Sequence, residues 1–167
     1  MIAVDPAGTA KQGSDETGIV VAGRDSDGHA YILADLSGKF SPEGWARRAI
    51  DAFRRHRADR VIAEVNFGAG MVEATLRAVD RSIPFKAVHA SRGKAARAEP
   101  VVALFEQNRA HIVGNLIELE DQSCEWEPNT GMPSPDRLDA MVWAISELVV
   151  EAQPKPAYFL NIPFMGR

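Results

Sequence analysis

Three acidic residues stand where carboxylates do chemistry more readily than they do packing. Asp5 closes a short apolar run, Ile2 to Val4, at the start of the chain. Glu64 lies at the end of the apolar stretch Arg60-Val61-Ile62-Ala63-Glu64-Val65. Asp139 follows Ser134-Pro135 and sits beside a helical apolar stripe. A charged group at an apolar strand end or helix face is costly unless something pairs with it. A divalent cation is one such partner, because Mg²⁺ and Mn²⁺ prefer hard oxygen ligands. Two such ions roughly 4 Å apart can activate a water and offset charge on the leaving oxygen in phosphodiester cleavage. Each acid also has a plainer reading: a turn residue for Asp5, a loop acid before Asn66 and Gly68 for Glu64, and dipole compensation at a helix start for Asp139. Asp136 suits that last role as well, and being i, i+3 with Asp139 it shares a helix face with it. Either or both can reach a metal.

A basic loop is the second feature. Ser91-Arg92-Gly93-Lys94 follows the strand-like Phe85 to His89 and precedes a helix, with Arg97 one turn on. Backbone N–H groups at a helix start suit phosphate, and Arg92, Lys94 and Arg97 are candidates for gripping a nucleic-acid backbone. The competing reading is an ordinary exposed basic loop. It is not a nucleotide P-loop: Val88 and Ala95 stand where that motif needs Gly and Ser or Thr. The run Arg54-Arg55-His56-Arg57, with Arg60, reads as a solvated helix end. Asp15 and Glu16 read as a solvated loop or a secondary ligand, and Glu118, Glu120 and Asp121 as a solvated acidic face. The four histidines have no metal-ligand spacing, and Cys124 carries no cue for a nucleophile.

The elements that must hold these residues follow from periodicity. Ile2 to Val4, residues 17–23 and residues 29–36 read as three strands in an antiparallel meander. Ser41-Pro42 opens a helix. Strands at 60–65, 85–89 and 110–113 then alternate with helices at 70–80 and 94–108. An acidic helix at 115–125 and a long helix from Ser134-Pro135 to about Glu151 complete the chain, the latter striped by Leu138, Met141, Val142, Ile145, Leu148 and Val149. This order predicts an α/β domain, a mixed sheet with antiparallel strands first and parallel strands after, and helices on both faces. We expect one domain over residues 1–152 and a Pro-containing tail over 153–167.

The 167 residues suffice for one core without staples. One cysteine excludes an intramolecular disulfide framework. No apolar run reaches the roughly 20 residues of a membrane span, and no signal peptide is evident, so a soluble intracellular protein is expected. With 19 basic and 23 acidic residues the net charge is −4, so any polyanion must be met by a local basic patch.

Together the motifs resemble the nuclease domain of viral large terminase subunits. The resemblance rests on Ile2-Ala3-Val4-Asp5-Pro6-Ala7-Gly8 with Asp15-Glu16-Thr17-Gly18-Ile19, on Ala63-Glu64-Val65-Asn66-Phe67-Gly68, on Ser91-Arg92-Gly93-Lys94 with Arg97-Ala98-Glu99-Pro100, and on Ser134-Pro135-Asp136-Arg137-Leu138-Asp139-Ala140. It implies a ribonuclease-H-like fold and metal-dependent cutting of concatemeric viral DNA during packaging. Carried over, Asp5, Glu64 and Asp139 become the catalytic acids holding two Mg²⁺ or Mn²⁺ ions. Asp136 becomes a further metal ligand. Asp139 is preferred as the third acid because Asp139-Ala140-Met141-Val142 matches the family's acid followed by an apolar helix. Double-stranded DNA, a terminase ATPase domain, a small terminase subunit and a portal are the implied partners, in host cytoplasm. The absent ATPase motif implies an isolated nuclease domain. The rival expectations are a Holliday-junction-resolvase-like nuclease, one lobe of an actin-like ATPase or sugar kinase (Asp5 to Thr9 partly fits its phosphate loop), and an inactive packaging module.

Overall fold

A computed structural model describes residues 1–6, 16–65, 69–128, 130 and 135–151. Asp15, Ser134 and the 153–167 tail lie outside the described residues. Six strands form one sheet in the order β5-β4-β1-β2-β3-β6. The strands are β1 (Ile2–Asp5), β2 (Gly18–Arg24), β3 (Ala30–Asp35), β4 (Val61–Glu64), β5 (Phe85–Val88) and β6 (Ala110–Ile112). The first three pair antiparallel, as the meander requires. β4 joins β1 in parallel, β5 joins β4, and β6 joins β3 at the opposite edge. The sheet is therefore mixed, as expected from the order of strands and helices.

Side-chain alternation sorts the strands onto two cores. Ile2, Val4, Ile19, Val21, Val61 and Ala63 face one side, where they pack with residues of α1 (Pro42–Arg55) and α2 (Ala69–Val79). Ala3, Val20, Ala22 and Ile62 face the other, with α3 (Lys94–Glu106), α4 (Ile117–Glu125) and α5 (Asp136–Ile145). A strand buried on both faces reads as a continuous apolar run rather than an alternating one, which is why β2 is apolar from Ile19 to Ala22. Helices thus cover both faces.

Local chemistry fixes the ends. Ser41 caps α1, its Oγ accepting from the Gly44 N–H at 3.1 Å. The β2–β3 turn closes on Asp25, whose Oδ1 accepts from the Asp27 and His29 N–H groups, with Gly28 at φ 87°. The closing helix differs from the sequence expectation: α5 begins at Asp136 behind Pro135, and after Ile145 the chain widens into a π-helical turn, Ser146–Val150. That turn carries buried Glu147, which accepts both of its 2.7 Å bonds from Lys86 on β5 and pairs with Arg60 at 3.3 Å. Arg60 is therefore committed to an acid rather than belonging to a solvated helix end. The histidines are scattered in sequence, yet the β3–β6 pairing sets Tyr31 opposite His111 and brings His29 Nδ1 to 3.0 Å from His111 Nε2.

One position decides how closely α5 approaches the sheet. Gly18 on β2 pairs with Asp5 on β1. A Cβ there would stand 2.0 Å from the Asp136 carbonyl oxygen and 3.0 Å from the Ala140 Cβ. Only a residue without a side chain lets the first turn of α5 lie on the strand that neighbours Asp5. Gly18→Ala must push α5 outward, since a backbone carbonyl cannot rotate away. Overpacking of this kind costs about 1–3 kcal/mol. A thermal melt of the variant is expected to fall by about 2–10 °C; an unchanged Tm would show that the approach is not tight.

Candidate active site

β1 and β4 run parallel with Val4 opposite Ala63. Asp5 and Glu64 therefore end neighbouring strands at the same edge of the sheet. With a side-chain period of two, Asp5 shares a face with Ala3, and Glu64 with Ile62. That is the face α3 and α5 cover. The first turn of α5 lies across it, which Gly18 permits, and brings Asp136 and Asp139 to the same edge. α3 follows β5 after a five-residue loop, His89 to Gly93, and contributes Lys94 and Arg97 from its first turns.

The result is a concentration of like charge at a partly buried edge. Asp139 is only 3% exposed. Burial pushes the Asp5 carboxyl up to about 8, helped by the negative charges of Asp139, Glu64 and Asp136, against a smaller opposing pull from Lys94. Two cations answer the acids. Lys94 Nζ bonds Asp139 Oδ2. The Arg97 side chain, 11% exposed, reaches Glu64 Oε2 at 3.3 Å and Asp139 Oδ1 at 3.9 Å. Its guanidinium lies 4.4 Å from the centre of the Trp143 ring, and its Nε is buried without a hydrogen-bond partner among the described residues. The Trp143 indole N–H donates to Glu64 Oε2 at 2.7 Å.

The structure thus brings together Asp5, Glu64, Asp136, Asp139, Lys94 and Arg97. Arg92 is exposed in the loop before α3. Lys94 and Arg97 do not line an open basic edge here; they are engaged with the acids. Among the described residues no three acidic, histidine or cysteine side chains stand as a ready-made metal cage. The donor set is nevertheless of the kind Mg²⁺ or Mn²⁺ takes: Asp5, Glu64, Asp136 and Asp139 all offer hard carboxylate oxygens, and the negative charges of the other three reach Asp5. A divalent ion would relieve that excess.

Sequence reasoning missed Trp143, although it stands one turn beyond Asp139 and so on its helix face. It also missed Arg137, buried and paired with Asp35 at 2.6 Å, Glu16 at 3.1 Å and Glu118 at 2.9 Å. Glu16 is accordingly ion-paired rather than part of a solvated loop, whereas Glu118 pairs with Arg137 from an exposed face of α4, as read from the sequence. Glu120 accepts from the Leu116 N–H at 2.9 Å, at the start of its own helix.

The Asp5 shift makes a pH prediction. Folded, Asp5 keeps its proton up to about 8; unfolded, it releases it near 3.8. Between those values the folded chain binds the extra proton, so stability falls as pH rises through that window. In EDTA, Tm should decline from pH 5 to 8, and Asp5→Asn should flatten that decline. Parallel slopes for the two proteins would contradict the assignment.

Comparison with known proteins places this geometry. The family model described as the terminase RNaseH-like domain matches residues 2–148. No curated protein matches the chain in sequence. Among solved structures, the large terminase nuclease domain of phage P22 superposes with a TM-score of 0.63 at 11% identity, covering 89% of this chain and 79% of that one. A mutant nuclease domain of the large terminase subunit of bacterial virus Sf6, with manganese and beta-thujaplicinol, gives 0.57 at 16% identity, covering 86% of each. The yeast mitochondrial Holliday junction resolvase Ydc2 gives 0.52 at 14% identity, covering 88% and 78%. The fold is shared with both kinds of nuclease, but the family model that spans nearly the whole chain is the terminase one, and the protein belongs to that family, the terminase RNaseH-like domain.

Proposed function

We propose that Asp5, Glu64 and Asp139 hold two divalent ions, Mg²⁺ or Mn²⁺, with Asp136 as a further ligand, and that the domain hydrolyses phosphodiesters of double-stranded DNA. The observation that carries this reading is the convergence of acids at the ends of β1 and β4 under the first turn of α5. The manganese in the Sf6 terminase nuclease supports the choice of ion. When bound, a pair of divalent ions supplies an activated water and charge compensation at the departing 3′ oxygen.

The chain's own residues do the rest. The strand ends fix Asp5 and Glu64 on a rigid edge, and α5 lowers Asp139 onto them. Lys94 and Arg97 neutralise the acids while no cation is bound. With ions in place, their charge is available to DNA phosphates alongside Arg92. Phosphate contacts of this kind grip the duplex without reading its sequence, so weak sequence preference follows. A bulk charge of −4 makes that grip local and dependent on the metal.

The wider setting is carried by the family. A terminase ATPase domain, a small terminase subunit and a portal are the proposed partners, host cytoplasm the proposed location, and cutting of concatemeric viral DNA during packaging the proposed role. No helix among the described residues is long and apolar enough to cross a membrane. We place the domain at residues 1–152 and the tail at 153–167. A resolvase-like activity is the alternative that the shared sheet allows.

Plasmid nicking in Mn²⁺ tests the assignment. Asp5→Asn and Asp139→Asn should each lower the rate by about 10³-fold, several kcal/mol of lost charge stabilisation, while both variants keep a cooperative melt. Normal cutting by both would overturn the site. Equal cutting of linear and four-way substrates is expected; strong preference for the four-way junction would favour the resolvase reading.

A further inference from the structure

Glu64 is held by two donors of different kind on one oxygen. The Trp143 indole N–H reaches Oε2 at 2.7 Å, and Arg97 reaches the same atom at 3.3 Å. The indole is neutral; the guanidinium carries a full charge. Both belong to one unit, because Arg97 lies over the Trp143 ring, and both are nearly enclosed, with Trp143 5% exposed. Arg97 also faces Asp139, and its buried Nε has no hydrogen-bond partner among the described residues. Its charge partners and the ring beneath it are what hold this guanidinium among the described residues.

These two donors must act on a divalent cation with opposite sign. A neutral N–H orients a carboxylate and leaves its charge for the ion. Hydrogen-bond partners of ligating groups commonly raise metal affinity by 10–100-fold through that orientation. A guanidinium on the same carboxylate repels an arriving cation and has to yield to it.

We propose that Trp143 is the positioning residue of this site: its N–H fixes Glu64 for metal, while its ring face holds Arg97 as a counter-charge that competes with metal. This rests on the reading that Glu64 and Asp139 are metal ligands. The indole is thus the pivot between a state closed by Arg97 and a state closed by divalent ions. Arg97 reaches the site only because α3 starts beside α5, and the indole platform is what keeps its charge over the two acids. The helix register that puts Trp143 one turn beyond Asp139 lets a single helix carry both a ligand and the group that orients its neighbour.

Calorimetric titration of Mn²⁺ into the full chain, with a thermal melt in EDTA, tests it. Trp143→Phe keeps the ring and loses the donor, and should weaken Mn²⁺ binding about tenfold. Arg97→Gln should tighten Mn²⁺ binding while lowering Tm in EDTA. A merely structural role for both residues would instead weaken binding in both variants, and that result would overturn the proposal. In a Glu64→Gln background, Trp143→Phe should have no further effect on Mn²⁺ affinity; an undiminished effect there would also overturn it. Asp5→Asn separates the two levels. If Asp5→Asn and Glu64→Gln both leave Mn²⁺ affinity intact, the metal reading itself fails. If they weaken binding and Trp143→Phe leaves it unchanged, only the positioning role fails.

Discussion

Carboxylates gathered at a partly buried sheet edge repel one another, and everything else in this site answers that repulsion. Asp5 and Glu64 cannot move apart, because they end neighbouring parallel strands whose register is fixed by two apolar cores. Asp139 cannot withdraw, because α5 is buried along its length from Arg137 to Ile145. The excess charge is therefore met in three ways. Asp5 holds a proton, Lys94 and Arg97 lend positive charge, and Trp143 donates a neutral hydrogen bond. On the proposed reading, a divalent cation would replace each of these answers.

The scaffold is built to hold that tension. Gly18 permits the first turn of α5 to rest on β2. At the other end of the helix, Glu147 is clamped by Lys86 and Arg60. Beside Asp136, Arg137 gathers Asp35, Glu16 and Glu118, so β3, the chain before β2 and α4 are tied to the start of α5. A helix fixed at both ends places Asp139 and Trp143 on rigid backbone, where catalytic constellations are held best.

Much of this was legible in the sequence, for local reasons. The β1–β3 meander, the Ser41 cap and the acids at strand ends follow from patterns within a few residues. The parallel placement of β4 and β5 follows from alternating strands and helices. What was not legible depends on distant pairings. Nothing local shows that β6 crosses to the edge beside β3, bringing His29 to His111. Arg97 reads as an exposed basic residue until α5 brings Trp143 beneath it. Arg137 reads as a surface arginine until three separate segments supply its acids. Lys94 and Arg97 were visible as a basic loop, but their engagement with Glu64 and Asp139 was not, because the sequence does not give the angle at which α3 enters.

The central claim is that the converging acids are a divalent-metal site. Its most direct measurement is anomalous diffraction from crystals of the chain grown or soaked with Mn²⁺. The account predicts manganese peaks at ligand distance from the carboxylate oxygens of Asp5, Glu64 and Asp139, with Lys94 and Arg97 moved off those oxygens. It is contradicted by crystals with manganese bound elsewhere while Lys94 and Arg97 still hold Asp139 and Glu64.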